Sequence, residues 1–176
     1  APRVWACDSC DELVDTGMAV LRAQAPEVGV SYQHLDIAHT LFSGQPLADA
    51  LDAPLCDLCV SFGFMHHVTL VQQRQQVLHA LLDHTVVGGH VVVSFWQFAL
   101  SERLMAKARP VPGGDAGDYL LGWQDEAGVA RYCHSYAESE IDALVASCGP
   151  QTRELARFSA DGREGRLNRS LVPAKT

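Results

Sequence analysis

The apolar positions of this chain fall into short clusters separated by polar, acid-bearing turns, a pattern of strands alternating with helices. Residues 3–7 read as a strand, 11–24 as a helix, 30–35 as a strand, and 46–51 as a short helical piece. Residues 55–62 form the next strand and 70–83 the next helix. The turn Val87-Gly88-Gly89-His90 then leads into the strongly apolar strand 91–95. This series predicts βαβ units and a parallel sheet. Further on, 101–108 looks helical, and 109–123 is a loop rich in Pro, Gly and Asp. Residues 138–147 form an amphipathic helix with Ile141, Leu144 and Val145 on one face, stopped by Cys148-Gly149-Pro150. Residues 152–158 and 167–172 are two last strands around the turn Ser159-Ala160-Asp161-Gly162-Arg163, an antiparallel hairpin.

Three strands run into polar residues in the same orientation: Val4-Trp5-Ala6-Cys7-Asp8, Tyr32-Gln33-His34-Leu35-Asp36, and the strand that ends in Ser61-Phe62-Gly63-Phe64-Met65-His66-His67. Open α/β sheets bind ligands beyond the carboxyl ends of their strands, so the set suggests a nucleotide-like cofactor. Asp8 has two readings, an acceptor for a ribose diol or a cap on the following helix, a role open also to Ser9 and Asp11. Asp36 is either an acceptor for an adenine amino group or an ordinary loop acid. His66 and His67 either face the cofactor or begin the next helix.

At 176 residues with 48% hydrophobic content the chain is long enough for one domain with a core. Its longest apolar runs fall far short of the roughly 20 residues that span a bilayer. Acids at 8, 11, 12 and 15 stand where a leader would be basic and then apolar, so a cytosolic location is expected and no membrane partner. The net charge of -8 is uneven. Residues 1–88 hold three Lys or Arg against ten Asp or Glu, whereas from Gln151 onward six basic residues face three acids. That tail is either a patch for an anionic substrate or a solvated surface.

Cys7-x2-Cys10 and Cys56-x2-Cys59 mimic zinc-ribbon spacing. An offset of three within a strand sends Cys56 and Cys59 to opposite faces, and no Gly or Pro knuckle lies inside either pair. No metal is expected, and the six cysteines read as small buried hydrophobes.

Taken in order, these motifs resemble the later part of the cofactor site of class I S-adenosylmethionine-dependent methyltransferases. The resemblance covers essentially the whole chain, 1–176, as a single methyltransferase domain. It implies a Rossmann-like α/β fold, mostly parallel, with a C-terminal antiparallel hairpin, and S-adenosyl-L-methionine as cofactor. By the resemblance Asp8 and Ser9 hold the ribose, Asp36 and Ile37 the adenine side, and Ser61, Phe62, Gly63 and His66 close over the methionine part. Val87-Gly88-Gly89-His90-Val91 is similar to the turn into that fold's fifth strand.

More narrowly, His66-His67, Gly117-Asp118-Tyr119-Leu120-Leu121-Gly122-Trp123 and Ala130-Arg131-Tyr132-Cys133-His134-Ser135-Tyr136 resemble the tRNA wobble-uridine carboxymethyl methyltransferase family. Cys133 stands where that family has an aromatic residue, and Gly122 where it tends to have Pro. The resemblance implies a substrate-side insertion over 97–137, tRNA as a partner, and a small activator protein near 30–35. Arg131 would clamp a carboxylate or phosphate, and His134, Trp96, Tyr119 and Trp123 would shape or stack on a base. Each of these side chains also has a plain packing or surface reading. A carboxylate acceptor is already ionised, so positioning would dominate catalysis.

Such enzymes carry a Gly-rich loop of the form Asp-x-Gly-x-Gly after their first strand, and nothing of the kind precedes Asp8. The expectation is therefore a sheet lacking its first strand, the central one in the order 3-2-1-4-5-7-6, with that segment cut away upstream or supplied by another chain. Each buried peptide group left unpaired costs on the order of 1–3 kcal/mol against a total stability of about 5–15 kcal/mol. Two other functions fit the same residues: a small-molecule methyltransferase, and a non-catalytic methyltransferase-like scaffold. A nicotinamide-dependent dehydrogenase fits poorly, because nothing after Asp8 resembles a hydride-transfer site.

Overall fold

A computed structural model describes residues 1–122, 129–161 and 165–176. It divides into two compact units, Ala1–Pro54 and Leu55–Thr176.

In the first unit, β1 (Arg3–Asp8) and β2 (Gly29–His34) pair in parallel, with Asp8 opposite His34. The crossover between them is α1 (Asp11–Gln24). After β2 come α2 (Ile37–Ser43) and α3 (Leu47–Ala50). The sequence reading has no helix at α2. Asp36 caps it, its carboxylate accepting from the His39 N–H at 2.9 Å, and Gly44 ends it in the left-handed region at φ 78°.

The second unit is built on a four-stranded sheet in the order β3 (Cys56–Ser61), β4 (Thr85–Trp96), β9 (Asn168–Lys175), β8 (Thr152–Ala160). β3 and β4 are parallel, while β9 runs antiparallel to both β4 and β8, so the sheet is mixed and the expected C-terminal hairpin is present. Of that hairpin's turn, Gly162 and Arg163 lie outside the described residues. β4 is continuous through the expected Gly-Gly turn, which appears instead as a bulge. Cys56 pairs with Thr85 but Leu58 with His90, and Gly88 takes φ 82°. A Cβ on Gly89 would lie 2.7 Å from Thr85 Cγ2 and 2.9 Å from the Asp57 carbonyl, so the close approach requires glycine.

Helix α4 (Val71–Asp83) packs against β3 and β4, and α6 (Glu138–Ser147) packs against α4. The core they share contains Leu78, Val91, Val93, Phe95, Ile141 and Leu171, all buried. Each such side chain contributes about 1.5–3 kcal/mol by leaving water. β3 is the edge strand, pairing with β4 alone among the described residues, and its Leu58 and Val60 are about half exposed.

A second sheet takes up the described part of the expected loop 109–123 together with residues 130–134. It is antiparallel, in the order β5 (Ala108–Pro110), β6 (Asp118–Gly122), β7 (Ala130–His134). The expected helix over 101–108 is a single turn, α5 (Glu102–Met105). Among the described residues no helix is long and apolar enough to cross a membrane.

One inference about the cysteines is corrected. The register irregularity after Cys56 interrupts the strict alternation of β3, so an offset of three no longer sends Cys56 and Cys59 to opposite faces: both are half-buried, and the Cys59 thiol donates to the His84 carbonyl at 3.5 Å.

Candidate functional site

Asp8 is the last residue of β1 and Asp36 lies two residues past the end of β2, both at the carboxyl ends of the parallel strands of the first unit, and both are exposed. Asp8 Oδ1 accepts from the Cys10 N–H at 2.8 Å, so it shapes its own turn with one oxygen and keeps the other for a partner. Asp36 does the same at the start of α2. Ser9 is exposed and Ile37 half-buried beside them. Asp11 accepts from His34 at 3.0 Å. That bond first, with a weaker one from Tyr32, holds its carboxyl below the usual range.

In the second unit, Ser61, Phe62 and Gly63 close β3. Gly63 sits at φ 64° and its N–H donates to Ser94 Oγ at 3.0 Å on the neighbouring strand. Then comes a short 3-10 turn, Met65–His67. It sets the rings of His66 and His67 4.0 Å apart, with His66 4.6 Å from Trp96. Trp96 leans on Phe98, which meets Tyr119 edge-on at 5.5 Å. From β7, the Arg131 guanidinium lies 5.8 Å from the Trp96 ring centre, and the same strand carries the buried Cys133. His66, Trp96, Tyr119 and Arg131, chosen from sequence, thus gather around one aromatic cluster, while Trp123 lies outside the described residues. Burial, reinforced by His67 and Arg131, pushes the His66 imidazole down to about 3, so the ring is neutral at physiological pH.

His134 is placed differently. It is fully buried, and both of its ring nitrogens meet carboxylates: Nδ1 lies 2.6 Å from Asp118 Oδ1 and Nε2 2.9 Å from Glu140 Oε1. It joins β6 to α6 and has no nitrogen left for an acceptor in this arrangement. Around it is a network that sequence reasoning missed. The Tyr132 hydroxyl donates to Asp118 Oδ1 at 2.5 Å and accepts from Arg74 Nη2 at 2.9 Å. Arg74 itself is 2% exposed and donates to the carbonyls of Val68 and Thr69. Burial alone raises the Asp118 carboxyl, but hydrogen bonds from Tyr132, His134 and the Asp115 N–H outweigh it and hold the group below its ordinary value. One sequence signal was available: Arg74 stands on the stripe with Val77 and Leu78, a lone cation on the apolar face of α4.

Two of the six basic residues near the C-terminus are paired with acids within the fold. Arg157 pairs with Glu138, Asp142 and Glu154, and Arg169 with Glu138.

Against solved structures, the chain aligns over 98% of its length with an S-adenosylmethionine-dependent methyltransferase from Methanosarcina mazei, at 15% identity and TM-score 0.70, covering 82% of that chain. It has a methyltransferase-like α/β fold. A second such enzyme, from Clostridium acetobutylicum, aligns over 97% of this chain and 74% of its own, at 12% identity and TM-score 0.64. The N-methyltransferase NodS from Bradyrhizobium japonicum, solved with S-adenosyl-L-homocysteine, aligns over 98% and 66%, at 14% identity and TM-score 0.60. The sequence matches no protein-family model and no curated protein.

Proposed function

We infer that this chain is an S-adenosylmethionine-dependent methyltransferase acting in the cytosol, a single catalytic domain with residues 97–137 as its substrate-side insertion. The observation that carries the reading is the alignment of nearly the whole chain with such enzymes at TM-scores of 0.60 to 0.70. The residues fit the cofactor's chemistry. Asp8 and Asp36 lie at the same end of a parallel sheet, each with a carboxylate oxygen left for a nucleoside hydroxyl or amino group. Ser61, Phe62, Gly63 and His66 take the methionine end in this reading. When bound, the cofactor supplies an electrophilic methyl group.

The chain's own side chains serve the acceptor. Arg131 orients an acceptor carboxylate, Trp96 and Tyr119 provide flat apolar surface, and the neutral His66 adds no competing cation. His134 is a positioning residue, fixing the strand that carries Arg131. Among the described residues the outer edge of β3 is unpaired and its Leu58 and Val60 are about half exposed, which suits the strand order of the resemblance.

For the acceptor, a tRNA wobble uridine bearing a carboxymethyl group follows from the motifs at Asp118 and Arg131. A small-molecule acceptor is favoured by the charge of -8 and by the pairing of Arg157 and Arg169 with acids, which takes two cations of the C-terminal segment away from a polyanion. Calorimetric titration with S-adenosylhomocysteine, on the chain as given and on one extended upstream, tests the cofactor. Binding to either is expected, weakened about 10–100-fold by Asp8→Asn, the equivalent of one charged hydrogen bond. No binding to either chain refutes the reading. Salt-sensitive tRNA binding separates the two acceptors.

A further inference from the structure

The sequence offers no zinc-like spacing beyond its two Cys-x2-Cys pairs, yet the fold assembles a different donor set from residues far apart in the chain. His66 and His67, on the 3-10 turn, meet Cys133 of β7, and one donor atom from each lies within 4.8 Å of the other two. In a tetrahedral zinc site with bonds of about 2.0–2.3 Å, donors stand roughly 3.3–3.8 Å apart. The three therefore need to close by about an ångström, a movement open to the exposed His67 side chain.

The second layer is already in place for one ligand. His67 Nδ1 lies 3.4 Å from the Tyr132 carbonyl, which can only accept, so that bond puts the proton on Nδ1 and the lone pair on Nε2. The His66 ring is held against Trp96, and Cys133 is fully buried among Phe98 and Leu121. Two imidazoles and a sulfur favour a borderline-soft ion over magnesium or calcium. A divalent ion, one thiolate and two neutral rings leave a single positive charge beside Arg131, which suits an anionic or hydroxide fourth ligand.

We propose that His66, His67 and Cys133 form a three-ligand site for a zinc-class divalent cation, with a fourth position left for water or an anionic group. The site shares His66 with the methionine end of the proposed cofactor site, and its test reads the metal alone, so its outcome is separate from that of the cofactor titration. Cys133, the sulfur donor of the set, stands where the resembling family carries an aromatic residue.

The test uses the full chain after chelator treatment, titrated with Zn2+ alone by calorimetry and with Co2+ alone by absorption. The expected result is one equivalent bound, with a thiolate-to-cobalt charge-transfer band in the near ultraviolet. Zn2+ affinity should fall at least about tenfold in His67→Ala, as for loss of a metal ligand or its support. The band should vanish in Cys133→Ser with the other five cysteines intact. His67 is exposed, so its variant keeps the fold even if the Cys133 variant does not. Absence of saturable binding, unchanged affinity in His67→Ala, or a cobalt complex lacking the band would each overturn the proposal. Binding that persists unchanged in both variants would place any metal at the other cysteines and overturn it as well.

Discussion

Replacing Asp118 by Asn tests the buried network most directly. The wild-type carboxylate accepts on Oδ1 from Tyr132 at 2.5 Å and from His134 at 2.6 Å, and on Oδ2 from the Asp115 N–H at 3.0 Å. Arg74 stands 3.5 Å away, and the Asp118 side chain is 9% exposed. An amide keeps the shape but removes the charge, leaving Glu140 as the carboxylate facing Arg74 and His134, and it turns one acceptor into a donor facing an N–H. Removing one member of a buried charged pair costs about 3–5 kcal/mol, a large share of a total of about 5–15 kcal/mol. At roughly 2–4 °C per kcal/mol for a chain of this size, the melting temperature should drop by about 6–20 °C. Urea denaturation at pH 7, with calorimetry in parallel, measures this. The pH dependence supplies a second readout. Because the Asp118 carboxyl is held below its ordinary value in the folded protein, its contribution is complete above about pH 3.9, the unfolded value, and is lost as pH falls through the lower folded value. The stability gap between wild type and variant should therefore narrow only below about pH 4. A loss under about 1 kcal/mol at pH 7, or a gap that closes already at pH 6, would refute this account of the network.

Tyr132→Phe deletes the hydroxyl that links Arg74 to Asp118 and should cost about 1–3 kcal/mol by urea denaturation, less than Asp118→Asn. Gly117→Ala forces a side chain onto φ 96°, with its Cβ 2.7 Å from the Ser135 carbonyl and 2.9 Å from His134 Cε1, so a loss of at least about 2 kcal/mol is expected from thermal melts. Arg157→Ala breaks three ion pairs at a partly exposed surface and should cost only about 1 kcal/mol, a difference that shrinks in 1 M salt. Asp36→Ala removes the cap of α2 and should cost about 0.5–2 kcal/mol, seen as a lower urea midpoint with an unchanged slope.

The βαβ framework was legible because its strands are apolar runs bounded by turn residues and its long helices keep a regular stripe: α1, α4 and α6 lie where the periodicity puts them. Short elements escaped. α2 has seven residues, too few for a periodic signal, and its marks were the cap Asp36 and the stop Gly44. The latter two strands of the small sheet, β6 and β7, have five residues each, and the Pro and Gly around them read as loop. Of the residues singled out with the resemblance, His66, Trp96, Tyr119 and Arg131 come together in space, while the joint role of Arg74, Asp118 and Glu140 was not legible. Their role depends on pairings across α4, β6 and α6, which no local pattern encodes. Cys133 was noted as a departure, but its nearness to the two histidines is a product of tertiary folding.

The loop carrying His66 and His67 is anchored through its peptide groups. Tyr136 donates to the Met65 carbonyl, and Arg74 to those of Val68 and Thr69, so both flanks of the paired imidazoles are tethered by atoms every amino acid possesses. Such an attachment measures the number of residues between tethers instead of their kind. Exchanging the half-buried Thr69 for another small residue leaves the tethers intact, whereas a one-residue deletion between positions 65 and 69 would swing both rings away from β7.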